Sequence, residues 1–306
     1  MTRRSPGTWN RLATEAVNPR SHRLDQLGVA GVVSLMQSED RRALTALSRA
    51  RADVVQAAES LRDTFLAGGT CMLFGAGTSG RLAVIEAAEL PPTFGTDPSR
   101  VRAAIAGGRS AVFQAREGAE DREDDGRRAA NALRFGDLAI GVSASSITPF
   151  VRSALERARE RGAKTVLVTA SRSAGIESAA DVVVRLDVGP EVLAGSTRLK
   201  AGTATKLALN QITTAAFASA GKVYGPWMVD VRPGSAKLKD RSARIVAAAG
   251  GATPRRAKAL LERADGEVKT AILMARRGGT REAARKRLAA AGGDLRRALG
   301  EAANPR

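Results

Sequence analysis

The stretch Phe74–Gly95, FGAGTSGRLAVIEAAELPPTFG, decides how this chain is read. It begins at the end of an apolar run, Cys71-Met72-Leu73-Phe74, that has the length of a buried strand. The run breaks at Gly75-Ala76-Gly77-Thr78-Ser79-Gly80, and a helical pattern starts at about Ser79. A glycine-rich turn between a strand and a helix start presents free backbone N–H groups at the positive end of the helix dipole. That combination holds anions, phosphate above all. Gly77, Thr78 and Ser79 are therefore candidate phosphate-binding residues, the two hydroxyls adding donors. Glu89 comes at the far end of the expected helix, 79–89, just before Pro91-Pro92. One segment thus offers an anion cradle and a positioned carboxylate.

Two other glycine patterns fit less well. Gly75, Gly77 and Gly80 do spell the spacing of a dinucleotide-binding turn, but that turn needs an acidic residue about 20 positions on, after a second strand. Glu89 and Asp97 lie instead in a helix end and a proline-rich loop. A nucleotide-binding loop of the Gly-Lys-Ser/Thr kind is excluded, because the first lysine of the chain is Lys164. The Thr-Ser pair favours a sugar-phosphate cradle.

The 306 residues suffice for a sizeable core in one large or two smaller domains. No apolar run approaches the roughly 18 residues of a membrane span, and the N-terminal MTRRSPGTWNRLATE has no apolar core of a leader peptide. A cytoplasmic protein with no membrane partner is expected. The net charge of +18 invites a nucleic-acid reading, but the forty arginines are spread along the chain and aromatics are only 3%, leaving little for base stacking. No nucleic-acid partner is expected; attraction of anionic substrates explains part of the charge. One cysteine, Cys71, and one histidine, His22, rule out an internal disulfide and leave no zinc site of the usual kind. Acid–base chemistry must fall to carboxylates, lysine or tyrosine, with no cofactor or metal. Cys71, opening a buried strand, reads as core rather than nucleophile.

Residues 1–67 read as an N-terminal arm followed by helix over 37–67. Strands are expected at 71–75, 101–106, 137–142, 164–169 and 181–187, with helices at 79–89, about 109–133, 149–161 and 203–220. Alternation of this kind builds an α/β domain over 68–248: a parallel five-stranded sheet with helices on both faces and ligands at the carboxyl ends of the strands. The third strand runs into Val142-Ser143-Ala144-Ser145-Ser146-Ile147-Thr148-Pro149, a second hydroxyl-rich turn with proline at a helix start. Ser143, Ser145, Ser146 and Thr148 are candidates to close on the same phosphate. Residues 249–306, punctuated by Asp265-Gly266, Gly278-Gly279 and Gly292-Gly293, read as a small C-terminal three-helix module.

Several segments taken together resemble the N-acetylmuramic acid 6-phosphate etherase family, whose fold is of the phosphosugar-isomerase type. They are Thr14-Glu15 and Asn18 in the arm, GAGTSGR at 75–81, AELPPTFG around Glu89, Ile105-Ala106-Gly107-Gly108 and Glu117-Gly118-Ala119-Glu120-Asp121. They continue with GSTRLKAGTATKLALNQITT from Gly195, Lys222-Val223-Tyr224-Gly225, Met228-Val229-Asp230-Val231 and the C-terminal GEVKTAILM. The resemblance implies a lyase of amino sugar catabolism and peptidoglycan recycling. It acts on a phosphorylated amino sugar, releases D-lactate and works as a homodimer with sites near the dimer interface. It implies that Glu89 is the acid assisting lactate departure and that Glu120 is the base at carbon 2; Lys200 in the Gly195 motif is a candidate substrate-binding residue, a basic group that could compensate, as Arg198 could, for an arginine missing elsewhere in the site. One departure stands out. The family's turn reads Ser-Gly-Arg-Thr-Pro, and this chain has Ser145-Ser146-Ile147-Thr148-Pro149. The alternative is a sugar-phosphate sensor without catalysis, related to glucokinase regulatory protein.

Overall fold

The computed structural model describes residues 12–171, 174–231 and 236–301. Two helices, α1 (Val29–Arg49) and α2 (Arg51–Leu66), precede the first strand, β1 (Cys71–Gly75). Then come α3 (Gly77–Phe94), β2 (Val101–Ile105), α4 (Glu123–Ala130), β3 (Leu138–Val142), α5 (Pro149–Glu160), β4 (Lys164–Thr169), the single turn α6 (Ala174–Glu177), β5 (Val182–Arg185) and α7 (Lys200–Phe217). A two-stranded hairpin, β6 (Val223–Tyr224) and β7 (Trp227–Met228), leads to α8 (Ala236–Gly250), α9 (Pro254–Arg263), α10 (Val268–Arg277), α11 (Arg281–Ala290) and α12 (Leu295–Leu299). None of the helices among the described residues is long and apolar enough to cross a membrane.

The chain forms two compact units. The first runs to Ala88 and resumes over Ser99–Thr213; the second takes Glu89–Pro98 and everything from Thr214. In the first, five parallel strands lie in the order β2-β1-β3-β4-β5. The central β3, Leu-Ala-Ile-Gly-Val, is buried at all five positions, as a strand covered on both faces requires. Phe74, Ala139 and Leu167 point to one face, where they pack with Phe150, Val151 and Leu155 of α5 and Ala130 of α4. The other face meets α2. In register, Gly75 stands beside Ile105 on one side and Val142 on the other. The chain leaves β1 toward β2 and returns on the opposite side to β3, so the strand order reverses at the carboxyl end of β1, where such sheets open a crevice.

Three helix expectations change. The expected helix over 37–67 is two helices hinged at Ala50, and it starts earlier, at Val29. The helix after β1 does not stop before Pro91-Pro92 but runs through both to Phe94. Proline's φ suits a helix; it removes only two donors, and Gly95 N–H closes the last turn on Pro91 O at 2.9 Å. The helix expected over 109–133 is mostly absent. A 3-10 turn at Arg109–Val112 gives way to an irregular segment, and regular helix exists only in α4. Gly118, at φ +71°, breaks the helical path inside the acidic cluster.

The second unit has its own core of Val229, Val231, Ile245, Val268, Ile272, Leu273 and Leu299. The C-terminal module is larger than the three helices expected over 249–306. Four helices, α9 to α12, follow residue 250, and α8 shares their core, so a boundary at 249 would cut α8 near its end. Thr253, Thr280 and Asp294 cap α9, α11 and α12 by accepting from backbone N–H groups three residues on. In the same unit, Phe94 stacks on Phe217 with ring centroids 5.1 Å apart.

Candidate functional site

The first wall of the site is the turn from β1 into α3. A Cβ on Gly75 would lie 2.6 Å from Gly80 N, and one on Gly80 would lie 2.5 Å from Ile105 Cγ1, so the helix start sits directly on the strand ends. Gly77 has φ +53° with open space around it; it is glycine for its backbone angle alone. Thr78 and Ser79 follow in the first turn of α3 and face a cleft of about 270 Å³.

The second wall is the turn from β3 into α5. Ser143 N–H donates to Val168 O at 3.0 Å, and its hydroxyl pairs with that of Thr148 at 2.9 Å. Ser146 N–H closes the turn on Ser143 O. Ser146 takes a left-handed backbone, φ +59°, where a Cβ costs about 1–2 kcal/mol. It is wholly buried, and its hydroxyl has no partner. Ser145 and Thr148 reach the cleft; Ser143 and Ser146 do not line it and shape the turn behind it. Ile147 does not line it either.

The third wall is the irregular segment that replaced the expected helix. It brings Arg116, Glu117 and Glu120 to the cleft. Glu120 is fixed by its backbone: its carbonyl accepts Phe150 N–H at 2.9 Å, a donor that the first turn of α5 leaves without a partner in its own helix. The same segment stays close because α4 lies hard against α5, with Ser153 Oγ donating to Glu123 O at 2.7 Å. Arg81, whose Nε donates to Val112 O at 2.9 Å, and Thr197 complete the lining. A second cavity of about 410 Å³ adjoins this one and shares Ala115, Arg116 and Glu117 with it.

Gly77, Thr78, Ser79, Ser145, Thr148 and Glu120 therefore come together as the sequence suggests. Glu89 is on the part of α3 that belongs to the second unit, exposed and outside this lining. Arg81, Arg116, Glu117 and Thr197 were not singled out. Arg81, Glu117 and Thr197 stand inside the motifs quoted above, but nothing local marks Arg116, because its segment reads as helix.

Lys200 is not at the cleft. It is 1% exposed, ion-paired to Glu39 of α1, and it donates to Pro190 O at 2.6 Å. Asn18 Nδ2 donates to the same Glu39 oxygen at 2.9 Å, and Arg20 pairs with Glu39 at 3.0 Å. Burial pushes the Glu39 carboxyl up, but Lys200, Asn18 and Arg42 more than offset this and hold it below the usual carboxylate range. Beside it, Glu191 accepts Lys200 N–H at 3.3 Å and Ala201 N–H at 2.9 Å, capping α7. Burial raises Glu191, and its two backbone donors and Lys200 only partly counter this. Gly195 N–H donates to Thr14 O at 2.9 Å, so the arm residues and the Gly195 motif form one buried junction. It ends at the cleft: a Cβ on Gly202 would lie 3.6 Å from Thr78 Cγ2. Cys71 is inert core, its thiol driven well above its ordinary range by burial and by Asp137.

The chain is similar to known proteins along most of its length. The SIS domain family matches residues 117–215, and the glucokinase regulatory protein N-terminal SIS domain matches residues 53–159. The N-acetylmuramic acid 6-phosphate etherase of Geobacillus thermodenitrificans is 46% identical over 94% of this chain and 98% of its own. That of Cutibacterium acnes is 46% identical over 95% and 97%. Among solved structures, a phosphoheptose isomerase from Francisella tularensis covers 63% of this chain and 97% of its own at 16% identity, with a TM-score of 0.47. At the level of identity and coverage that the two etherases reach, the chain belongs to the N-acetylmuramic acid 6-phosphate etherase family.

Proposed function

We propose that this chain cleaves the lactyl ether of N-acetylmuramic acid 6-phosphate, giving N-acetylglucosamine 6-phosphate and D-lactate. The observation that carries the reading is one cleft in which the Glu120 carboxylate shares the lining with two hydroxyl-bearing helix starts. The hydroxyls of Thr78, Ser79, Ser145 and Thr148, with the N-terminal ends of α3 and α5, suit a phosphate monoester. Glu120 suits a base. In the ring-opened sugar the proton on carbon 2 is acidified by the neighbouring aldehyde. Glu120 takes that proton, the bond from carbon 3 to the ether oxygen breaks, and its electron pair leaves with lactate. The resemblance assigns protonation of the departing oxygen to Glu89, which stands outside the lining of this cleft. Water then adds across the new double bond, its hydroxyl to carbon 3 and a proton to carbon 2. The chemistry is general acid–base catalysis by two carboxylates.

The direct test is incubation with N-acetylmuramic acid 6-phosphate in the presence of a chelator, followed by an assay for D-lactate. Release of D-lactate supports the reading, and its absence at high enzyme concentration sinks it. Glu120→Gln should suppress both lactate release and exchange of the carbon 2 proton with deuterated water, by roughly 10²–10⁴-fold. Glu89→Gln should stop lactate release while exchange persists. The opposite pattern would reverse the two roles.

The proposal includes a cytoplasmic homodimer. A phosphorylated sugar does not cross a bilayer unaided, which favours the compartment where it is made. Exposed apolar residues on α1, Val29 at 84% and Val33 at 48%, suit a covered surface. The apolar side of α7 does not supply one: Ala204, Ala208, Leu209 and Ile212 are spent on the chain's own core. A strictly monomeric mass at micromolar protein would refute the dimer.

A further inference from the structure

The cleft has a cation whose role the reaction above leaves open. Arg116 lines both the cleft and the adjoining cavity and is exposed, and its side chain makes no hydrogen bond or ion pair with any described residue. The other arginine of the cleft, Arg81, is already anchored through Nε to Val112 O. The turn at 143–148 offers hydroxyls but no charge, and Ile147 is not part of the lining. A free guanidinium at a polar cleft seeks an anion, and its planar fork matches a carboxylate in two parallel bonds.

Resting on the function proposed above, we propose that Arg116 binds the lactyl carboxylate of the substrate and so selects for the ether-bearing sugar over the product. The substrate carries two anions at opposite ends. Its phosphate is on carbon 6, and its lactyl group is on carbon 3, next to the carbon 2 that Glu120 deprotonates. With the phosphate on the hydroxyls of the two helix starts, the lactyl group is directed to the end of the cleft that holds Glu120. Arg116 is four residues from Glu120 on the same segment. The adjoining cavity, with Arg116, Arg122 and Ser110 in its lining, gives the lactyl group room outside the sugar's own space. Arg122 is a weaker candidate, since it is already within 3.9 Å of Asp125. The arrangement also serves turnover. Once the ether is cut, lactate retains the charge that Arg116 holds, and the sugar phosphate retains only the grip of the hydroxyl turns.

Calorimetric binding in a Glu120→Gln background, where turnover is suppressed, separates the two anions. The ligands are N-acetylmuramic acid 6-phosphate, which has both, and N-acetylglucosamine 6-phosphate, which has only the phosphate. Adding Arg116→Met should weaken the first by about tenfold or more, the worth of a charge-assisted pair, and leave the second unchanged. Arg116→Lys should restore part of the difference. Equal weakening of both ligands would assign Arg116 to the phosphate and overturn the inference, as would no change in either. A protein with Arg116 intact that binds neither sugar phosphate would sink the proposed function itself, together with the inference that depends on it.

Discussion

Two helix starts meet beside the cleft, and they are built in opposite ways. The start of α7 has its anion built in: Glu191 accepts the N–H groups of Lys200 and Ala201, and the Lys200 side chain is buried against Glu39. The start of α3 contains no acidic residue in its first turn and presents Gly77, Thr78 and Ser79 to the cleft. The two run close together: a Cβ added to Gly202 would lie 3.6 Å from Thr78 Cγ2. A helix start answers to the same electrostatics in both places. Where the protein supplies the negative charge, the start is a joint of the fold; where it supplies only donors, the charge must come from a ligand. The difference explains why Lys200 belongs with structure although its motif suggests substrate binding.

Substitution can break this contrast from either side. The largest effect is expected at the joint. Glu39→Gln leaves the Lys200 ammonium buried without a counter-charge and should cost about 3–5 kcal/mol in urea unfolding. Lys200→Met should cost less, because Arg20 and Arg42 still reach Glu39. The double variant should recover much of the loss, since no lone charge remains. If the double variant were as unstable as the sum of the singles, the pair would not be acting as a pair.

A smaller effect is expected at the cap. Glu191→Ala leaves two buried N–H groups unpaired and should cost about 1–3 kcal/mol. Glu191→Gln keeps an acceptor and should be milder, and its difference from the parent should depend on pH. The folded Glu191 has a raised pKa, so the folded protein binds more protons than the unfolded chain between the usual carboxylate value and the raised one. The parent therefore gains stability relative to Glu191→Gln as pH falls from neutral into that window, and loses it as pH rises. Glu39 acts in the other direction: its contribution is held above the usual carboxylate value and lost as pH falls through its lowered one. A difference between the parent and Glu191→Gln that stays flat between pH 7 and pH 4.5 would contradict this account.

The smallest effect on stability, and the sharpest on function, is expected at the open start. Ser79→Ala should leave unfolding within about 0.5 kcal/mol of the parent while raising KM for the phosphosugar about tenfold, with kcat nearly unchanged. A loss of stability without a change in KM would make Ser79 part of the fold and erase the contrast with α7.

The legible part of the sequence was what short-range periodicity and turn chemistry encode. The five strands, the glycine cradle and the proline at the start of α5 all stand where the residues place them. Three things were not legible. The segment 109–133 has helical composition, yet Gly118 and the packing of α4 on α5 unwind its first half, and that half brings Arg116 and Glu120 to the cleft. Pro91-Pro92 reads as a stop, but the helix runs through both to Phe94, keeping a compatible φ at the cost of two backbone donors. Lys200 looks like a ligand residue because its partner, Glu39, is 161 positions away, beyond the reach of any local pattern.

That separation also has a consequence for how the chain is made. On a ribosome adding about 5–20 residues per second, Glu39 emerges roughly 8–30 s before the lysine that neutralises it. Until then its charged partners are Arg20 and Arg42, both half exposed, so burying the carboxylate against a half-made sheet is less favourable than in the finished unit. The arrival of Lys200 changes that balance. It comes when all five strands have been synthesised, so the full stabilisation of this ion pair is available only once the last strand of the first unit is in hand.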